Sequence, residues 1–326
     1  MRLLSVVTAP GASAYYRQVL PTETLRRAGH DATWKLFKDV TDADALRADV
    51  IVLGRAGGTD VDQAIQSTRQ LQALGKAVVL DYDDLITAIP AWNPAHLDDA
   101  EPTIRLMRAA SGLTVTNATL ASELRAFNPN VAVFDNYIDP TIWPLPTRAP
   151  DGTVTIGIAG TPSHARDWEL IAEPMRQIRR DYPATSFVVA GFLPDYLRDV
   201  ATEHVEWVPM PEYPALLRRF DIGLCPLLDD RFNRCKSPIK AYEYALSGAA
   251  VVASPTKYAS VVRGKGKIAR TEAEWYDAIR HYITNPTARH GDTLALRAFV
   301  ARTMDARNHA RDIYKAYSDI HKRTKA

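Results

Sequence analysis

Residues 232–254 read FNRCKSPIKAYEYALSGAAVVAS, gathering two lysines, a serine and a glutamate where a polar turn gives way to an apolar strand. Ser237-Pro238 is a helix-start signal: a serine hydroxyl can cap free backbone N–H groups, and proline suits the first helical position. Ile239, Tyr242 and Leu246 recur at spacings of three and four and define an apolar face. Lys236, Lys240, Glu243 and Ser247 follow a neighbouring face, and Gly248 closes the helix before the strand VVAS. A helix N-terminus offers free N–H groups and partial positive charge, so it attracts phosphate. Two lysines beside it suit an anion carrying more than one charge. Glu243 lies too deep to cap the helix, but a carboxylate there can accept hydrogen bonds from vicinal hydroxyls, as on a ribose. A nucleoside diphosphate is the simplest single ligand that satisfies both features. The same spacing also suits a Lys240–Glu243 surface pair, worth roughly a few tenths of a kcal/mol.

A second constellation is DYDDLI at 81–86, where Asp81, Asp83 and Asp84 follow an apolar strand. Hard oxygen ligands there suit a divalent metal, and the pattern also resembles the nucleophile motif of haloacid-dehalogenase-like phosphatases. A phosphohydrolase using Asp81 and Asp83 is therefore one alternative. Asp83 or Asp84 orienting an acceptor hydroxyl across a cleft is the favoured reading, and helix capping by one aspartate is a third. The stretch PGASAYYR at 10–17 leaves the first strand through Gly11, and its small residues allow close backbone approach to a ligand; Tyr16 and Arg17 follow. The G-x-G-x-x-G spacing of a dinucleotide loop is absent.

The elements that must position these groups alternate. LLSVVTA, DVIVLG, AVVLDYDD, GLTVTNA and VAVFDN read as strands in the first half, with helical patterns between them. PTIWPLPTRAPDG (140–152), with four prolines, reads as an interdomain linker. Alternation then restarts with TVTIGIAG, a helix near 165–181, TSFVVAG, HVEWV, DIGLCPL and AAVVAS. This pattern predicts an α/β protein of two Rossmann-like halves with parallel sheets, whose ligands sit in a cleft at the carboxyl ends of the strands. The expected division is 1–146, 147–304 and 305–326, the last a C-terminal helix packing back on the first domain.

The 326 residues suit two domains, and 24% charged residues with a net charge of +2 give no general signal for nucleic acid or anionic membrane. Any anion site must be local, and membrane contact is at most peripheral. Two cysteines, Cys225 and Cys235, are too few for a disulfide framework, which suits a reducing cytoplasm. Leu3–Val7 is shorter than the apolar core of a signal peptide and reads as a buried strand.

KSPIKAYEYALSGAAVVAS resembles the nucleotide-sugar signature of GT-B glycosyltransferases, the family-4-like retaining enzymes, with Lys240, Glu243, Gly248, Val251 and Val252 in register. IGIAGTPSHARDWELI (156–171) resembles the opening of their C-terminal domain. FDNYIDPTIW (134–143) resembles their pre-hinge motif, with Asn136 and Asp139 in register. The resemblance is specific over 153–262 and diffuse in the N-terminal half, and it implies that 1–146 is the acceptor-side domain and 147–304 the donor-binding domain. It implies that Lys236 and Lys240 neutralise a donor diphosphate while Glu243 binds the ribose. Ser237, Gly160, Thr161, His164 and Tyr258 would complete the donor site. It also implies glycosyl transfer with retention, no tightly bound cofactor or metal, and a UDP- or GDP-type sugar as co-substrate. The acceptor stays open among a glycan, a lipid-linked sugar, a small molecule, a protein and a modified nucleic acid. A nucleotide-sugar epimerase or a non-catalytic binding module on the same fold are further alternatives. One departure stands out: many members carry a second glutamate eight residues before the ribose-binding one, and here that residue is Cys235. Asp229 or Asp230 would have to reach inward in its place.

Overall fold

The computed structural model describes residues 1–54, 60–143 and 152–325. The proline-rich stretch at 144–151, with the domain boundary expected at 146/147, lies outside the described residues. Two six-stranded sheets form, each entirely parallel. The first comprises β1 (Leu3–Val7), β2 (Ala32–Leu36), β3 (Val50–Leu53), β4 (Ala77–Tyr82), β5 (Gly112–Val115) and β6 (Val131–Val133), in the order β2-β1-β3-β4-β5-β6. The second comprises β7 (Thr155–Gly160), β8 (Ser186–Gly191), β9 (Glu203–Val205), β10 (Ile222–Cys225), β11 (Ala250–Ala253) and β12 (Lys267–Ile268), in the order β12-β11-β10-β7-β8-β9. The register is that of crossover units: Leu3 faces Ala32 on one side and Val50 on the other, and Ile222 faces Ala250 and Ile156.

Central strands such as β3 and β4 are covered on both faces, so they read as continuous apolar runs, with Val50, Val52, Val78 and Val79 at 0% exposure. Two of the four edge strands, β2 and β12, lack that signature. Ala32–Leu36 is ATWKL, mostly exposed or half-buried, and β12 is two residues long. Neither is recognisable from apolar patterning. The helix expected near 165–181 is likewise a pair of 3₁₀ turns, Pro162–His164 and Asp167–Ile171, before a true helix at Ala172–Asp181.

After helix Pro286–Thr303, which packs on helix Ile239–Ser247, the chain crosses to the first domain. The Ile138 N–H donates to the Met304 carbonyl (2.9 Å), and the Ala306 N–H donates to that of Ile138 (2.9 Å). His309 stacks on Tyr137 at 4.0 Å. Helix Ala310–Lys325 then lies over β4, β5 and β6. Its Ile313, Tyr317 and Ile320 are buried, the two isoleucines each contributing roughly 1.5–3 kcal/mol by removal from water.

Candidate active site

Strand order reverses between β1 and β3 in one sheet and between β7 and β10 in the other, and such switch points leave crevices at the carboxyl ends of strands. The two crevices face each other. Gly11, Tyr16, Asp83, Asp84 and Asn136 from the first domain share a cleft of about 480 Å³ with residues of the second. Those are Gly160, Thr161, His164, Lys236, Ser237, Lys240, Glu243 and Tyr258. Of the residues expected to bind the donor, hold the acceptor or act on the leaving group, every one except Arg17 thus lines one cavity. Arg17 borders an adjoining cavity of about 530 Å³ that continues past Asp81, Asp83 and Asp84.

The wall from the second domain is built on helix Ile239–Ser247. Gly248 adopts φ 90° and ends the helix in the left-handed region, where glycine avoids the Cβ clash. The N-terminal end differs from the sequence expectation: Pro238 occupies the cap position, no side chain caps the helix, and Ser237 Oγ instead accepts from Asn136 Nδ2 (2.9 Å). The pull across the cleft takes the hydroxyl away from the helix. Gly160 closes β7 where a Cβ would stand 2.9 Å from the Trp168 ring and 3.2 Å from His164, so a bare backbone is what lets this loop pack.

Glu243 is 1% exposed and accepts three hydrogen bonds: from Tyr16 (2.8 Å) on Oε1, and from Tyr213 (3.1 Å) and Lys240 (3.0 Å) on Oε2. Lys240 Nζ also donates to the Tyr213 hydroxyl at 2.6 Å. Burial works against the Lys240 ammonium, but the neighbouring Glu243 charge holds its pKa above the ordinary lysine range. Burial and the same carboxylate push the Tyr16 and Tyr213 hydroxyls well above the usual tyrosine range, so both remain donors. Lys236 Nζ donates to Asp84 (3.2 Å) from the opposite wall and sits 4.4 Å from the Phe232 ring.

On the first-domain wall, Tyr16 and Arg17 lie in a π-helical turn, Tyr15–Val19. The wider turn sends neighbouring side chains to different partners: Tyr16 crosses to Glu243, while Arg17 turns into its own domain. Arg17 is 2% exposed and forks onto Asp81 with two bonds of 2.9 Å, and its Nη1 donates to the Phe134 carbonyl (2.8 Å) and Asn136 Oδ1 (3.2 Å). Thr114 completes Asp81 at 2.6 Å. Asp81 is therefore a structural partner of Arg17 rather than a free carboxylate for a hydrolase or metal reading. Among the described residues no group of three or more His, Cys, Asp or Glu side chains is arranged to hold a metal ion. Asp83 is bonded to Ser13, and burial together with Asp84 raises its carboxyl above the ordinary range.

Cys235 is fully buried beside Phe232, with its thiol pushed up to about 11 by burial, so it does not substitute for the glutamate of the family pattern. Asp229 pairs with Arg234 at 2.7 Å, Asp230 accepts from the Asn233 N–H at 2.7 Å, and neither lines the cleft. Sequence reasoning missed Tyr213, the exposed Trp207 and Asp167. Of these only Asp167 left a trace, three residues after His164 in SHARD.

Residues 153–285 match the family model described as glycosyl transferases group 1. No curated protein matches the sequence. HepE from Anabaena in complex with UDP shares 12% identity and a TM-score of 0.69, over 98% of this chain and 100% of that one. Its UDP-glucose complex gives a TM-score of 0.70, also at 12% identity, over 98% and 99% of the two chains. A trehalose-6-phosphate protein from E. coli bound with UDP-2-fluoro glucose gives 0.66 at 12% identity, over 99% of both chains. Two Rossmann-like domains facing across such a cleft give the chain the GT-B fold. Among the described residues no helix is long and apolar enough to cross a membrane.

Proposed function

We propose that the protein transfers a glycosyl group from a nucleotide diphosphate sugar to an acceptor hydroxyl, with retention and without an essential metal. The observation that carries this reading is the convergence of Lys236, Lys240, His164 and Glu243 in one cleft, opposite Asp83 and Asp84. The diphosphate would lie against the two lysines and the free N–H groups of helix Ile239–Ser247, with the ribose hydroxyls on Glu243. HepE and the E. coli protein bind UDP-sugars, which supports a UDP-type donor here.

Donor entry exchanges contacts instead of filling empty ones. Ribose hydroxyls replace Tyr16 on Glu243, and phosphate oxygens replace Asp84 as the partner of Lys236. As the bond from the anomeric carbon to the phosphate oxygen breaks, negative charge grows on the leaving diphosphate. Lys236 and Lys240 stabilise that charge, an effect of roughly 3–4 kcal/mol per well-placed donor. The acceptor oxygen attacks from the face the diphosphate leaves, and a phosphate oxygen takes the acceptor proton, which retains configuration. Asp83 orients the acceptor hydroxyl.

A thermal-shift panel of UDP-, GDP- and ADP-sugars tests the reading, since a ligand held by the native state alone raises the melting temperature. One nucleotide class is expected to give a shift, and nucleoside diphosphate to be released only when acceptor is supplied. No shift with any member would sink the proposal.

A further inference from the structure

His164 lines the cleft beside Lys236 and Lys240, and its Nδ1 lies 2.9 Å from Oδ2 of Asp167. Asp167 has 0% exposure and touches no ligand site itself. Its other oxygen, Oδ1, already accepts two donors from the loop after β10: the Leu228 N–H at 2.9 Å and Asn233 Nδ2 at 2.8 Å. Asn233 cannot be turned around, because the same Nδ2 also faces the Leu228 carbonyl at 3.1 Å. An ionised carboxylate only accepts, so the imidazole must carry its proton on Nδ1. That leaves Nε2 as a lone-pair atom, with no hydrogen-bond partner among the described residues. A lone pair repels phosphate oxygen; a protonated Nε2 attracts it.

We infer that Asp167 is a positioning residue that fixes the His164 tautomer, so that binding of a sugar nucleotide's diphosphate brings a proton onto His164 Nε2. This rests on the donor reading above. The surroundings agree in sign. Burial holds the imidazole pKa below its ordinary value, and the charges of Lys236 and Lys240 add to this, against the Asp167 hydrogen bond. Asp83, Asp84 and Glu243 are the acidic groups on the remaining walls. Each is already bonded to Ser13, Lys236 or the Tyr16–Tyr213–Lys240 group, and none is hydrogen-bonded to His164. A diphosphate arriving between the lysines offsets their share of that shift, which favours proton uptake.

The substitution Asp167→Asn gives a distinctive result. Oδ1 must remain the acceptor for Leu228 and Asn233, so the new amide NH₂ faces His164 Nδ1. That nitrogen must then accept, and the imidazole proton moves to Nε2, ready to donate to phosphate without uptake.

Calorimetric titration of UDP-glucose in buffers of different ionisation enthalpy, from pH 6 to 8, reads this directly. UDP-glucose is the probe because its diphosphate diester has no group titrating in that range. Wild type is expected to take up a substantial fraction of one proton, with affinity falling about three- to tenfold across the range. His164→Gln should abolish the uptake, and Asp167→Asn should bind with little uptake and a flat pH profile. Absence of uptake in wild type, or uptake unchanged in His164→Gln, overturns the inference. So does an Asp167→Asn protein that keeps the wild-type profile. If UDP-glucose fails to bind while a GDP- or ADP-sugar does, that nucleotide serves as the probe. Failure of all three overturns the donor reading and this inference with it.

Discussion

The two walls of the cleft handle charge in opposite ways. On the first-domain wall, the ion pair of Arg17 and Asp81 is saturated, buried and internal to its domain: every strong donor and acceptor has a fixed partner. On the second-domain wall, the charges are paired through contacts a ligand can exchange: Lys236 with Asp84, and Glu243 with Tyr16, both across the cleft. The difference teaches which charges build the site and which are held ready for a ligand. A buried pair adds rigidity whatever its net energy, whereas a cross-domain pair keeps a cleft ordered until a better partner enters.

The largest effect expected from this contrast is Arg17→Ala. Removing one partner leaves Asp81 buried and uncompensated, which should cost about 3–5 kcal/mol in denaturant unfolding. A loss below about 1 kcal/mol would erase the distinction between the walls. Next comes Lys240→Ala, expected to lower turnover by more than about 100-fold, with a smaller loss of melting temperature than in Arg17→Ala because the buried Glu243 keeps Tyr16 and Tyr213 as donors. Wild-type turnover in this variant would remove the leaving-group role from the second wall.

The smallest effect concerns Asp83. Burial and Asp84 hold its carboxyl above the usual range in the folded protein. Its folded form therefore binds a proton more readily than the unfolded chain does. Its contribution to stability is full below the unfolded value of about 3.9 and is lost as pH rises through the folded one. At neutral pH the ionised group is thus a net strain, and Asp83→Asn should raise the melting temperature by about 1–3 °C at pH 7. The gain should fade on acidification. A drop at pH 7, or a gain that persists in acid, would show that Asp83 belongs with the structural charges of its wall.

How much was legible before the structure depends on where each residue's partners lie in the chain. The central strands and the helix bearing Lys240 and Glu243 declare themselves, because their signals are local: apolar runs, a three-and-four spacing and a terminal glycine. The edge strands Ala32–Leu36 and Lys267–Ile268 carry no such run, since one side of each is open to solvent or loops. Ser237 looked like a cap by local logic, and a partner 101 residues away, Asn136, overrides it. Tyr213 reaches Glu243 from a five-residue helix with no chemical signature. Arg17 reads as a cleft residue by position, but its partner Asp81, 64 residues on, makes it a support for the wall.

The return of helix Ala310–Lys325 to the first domain also orders events during synthesis. Strands β4 to β6 stay uncovered on one face until helix Ala310–Lys325 has left the ribosome, whereas β7 to β12 and their helices are complete by residue 303. The half made second is therefore the half able to finish first, and the half made first waits, with apolar surface open, for a helix that is made after it.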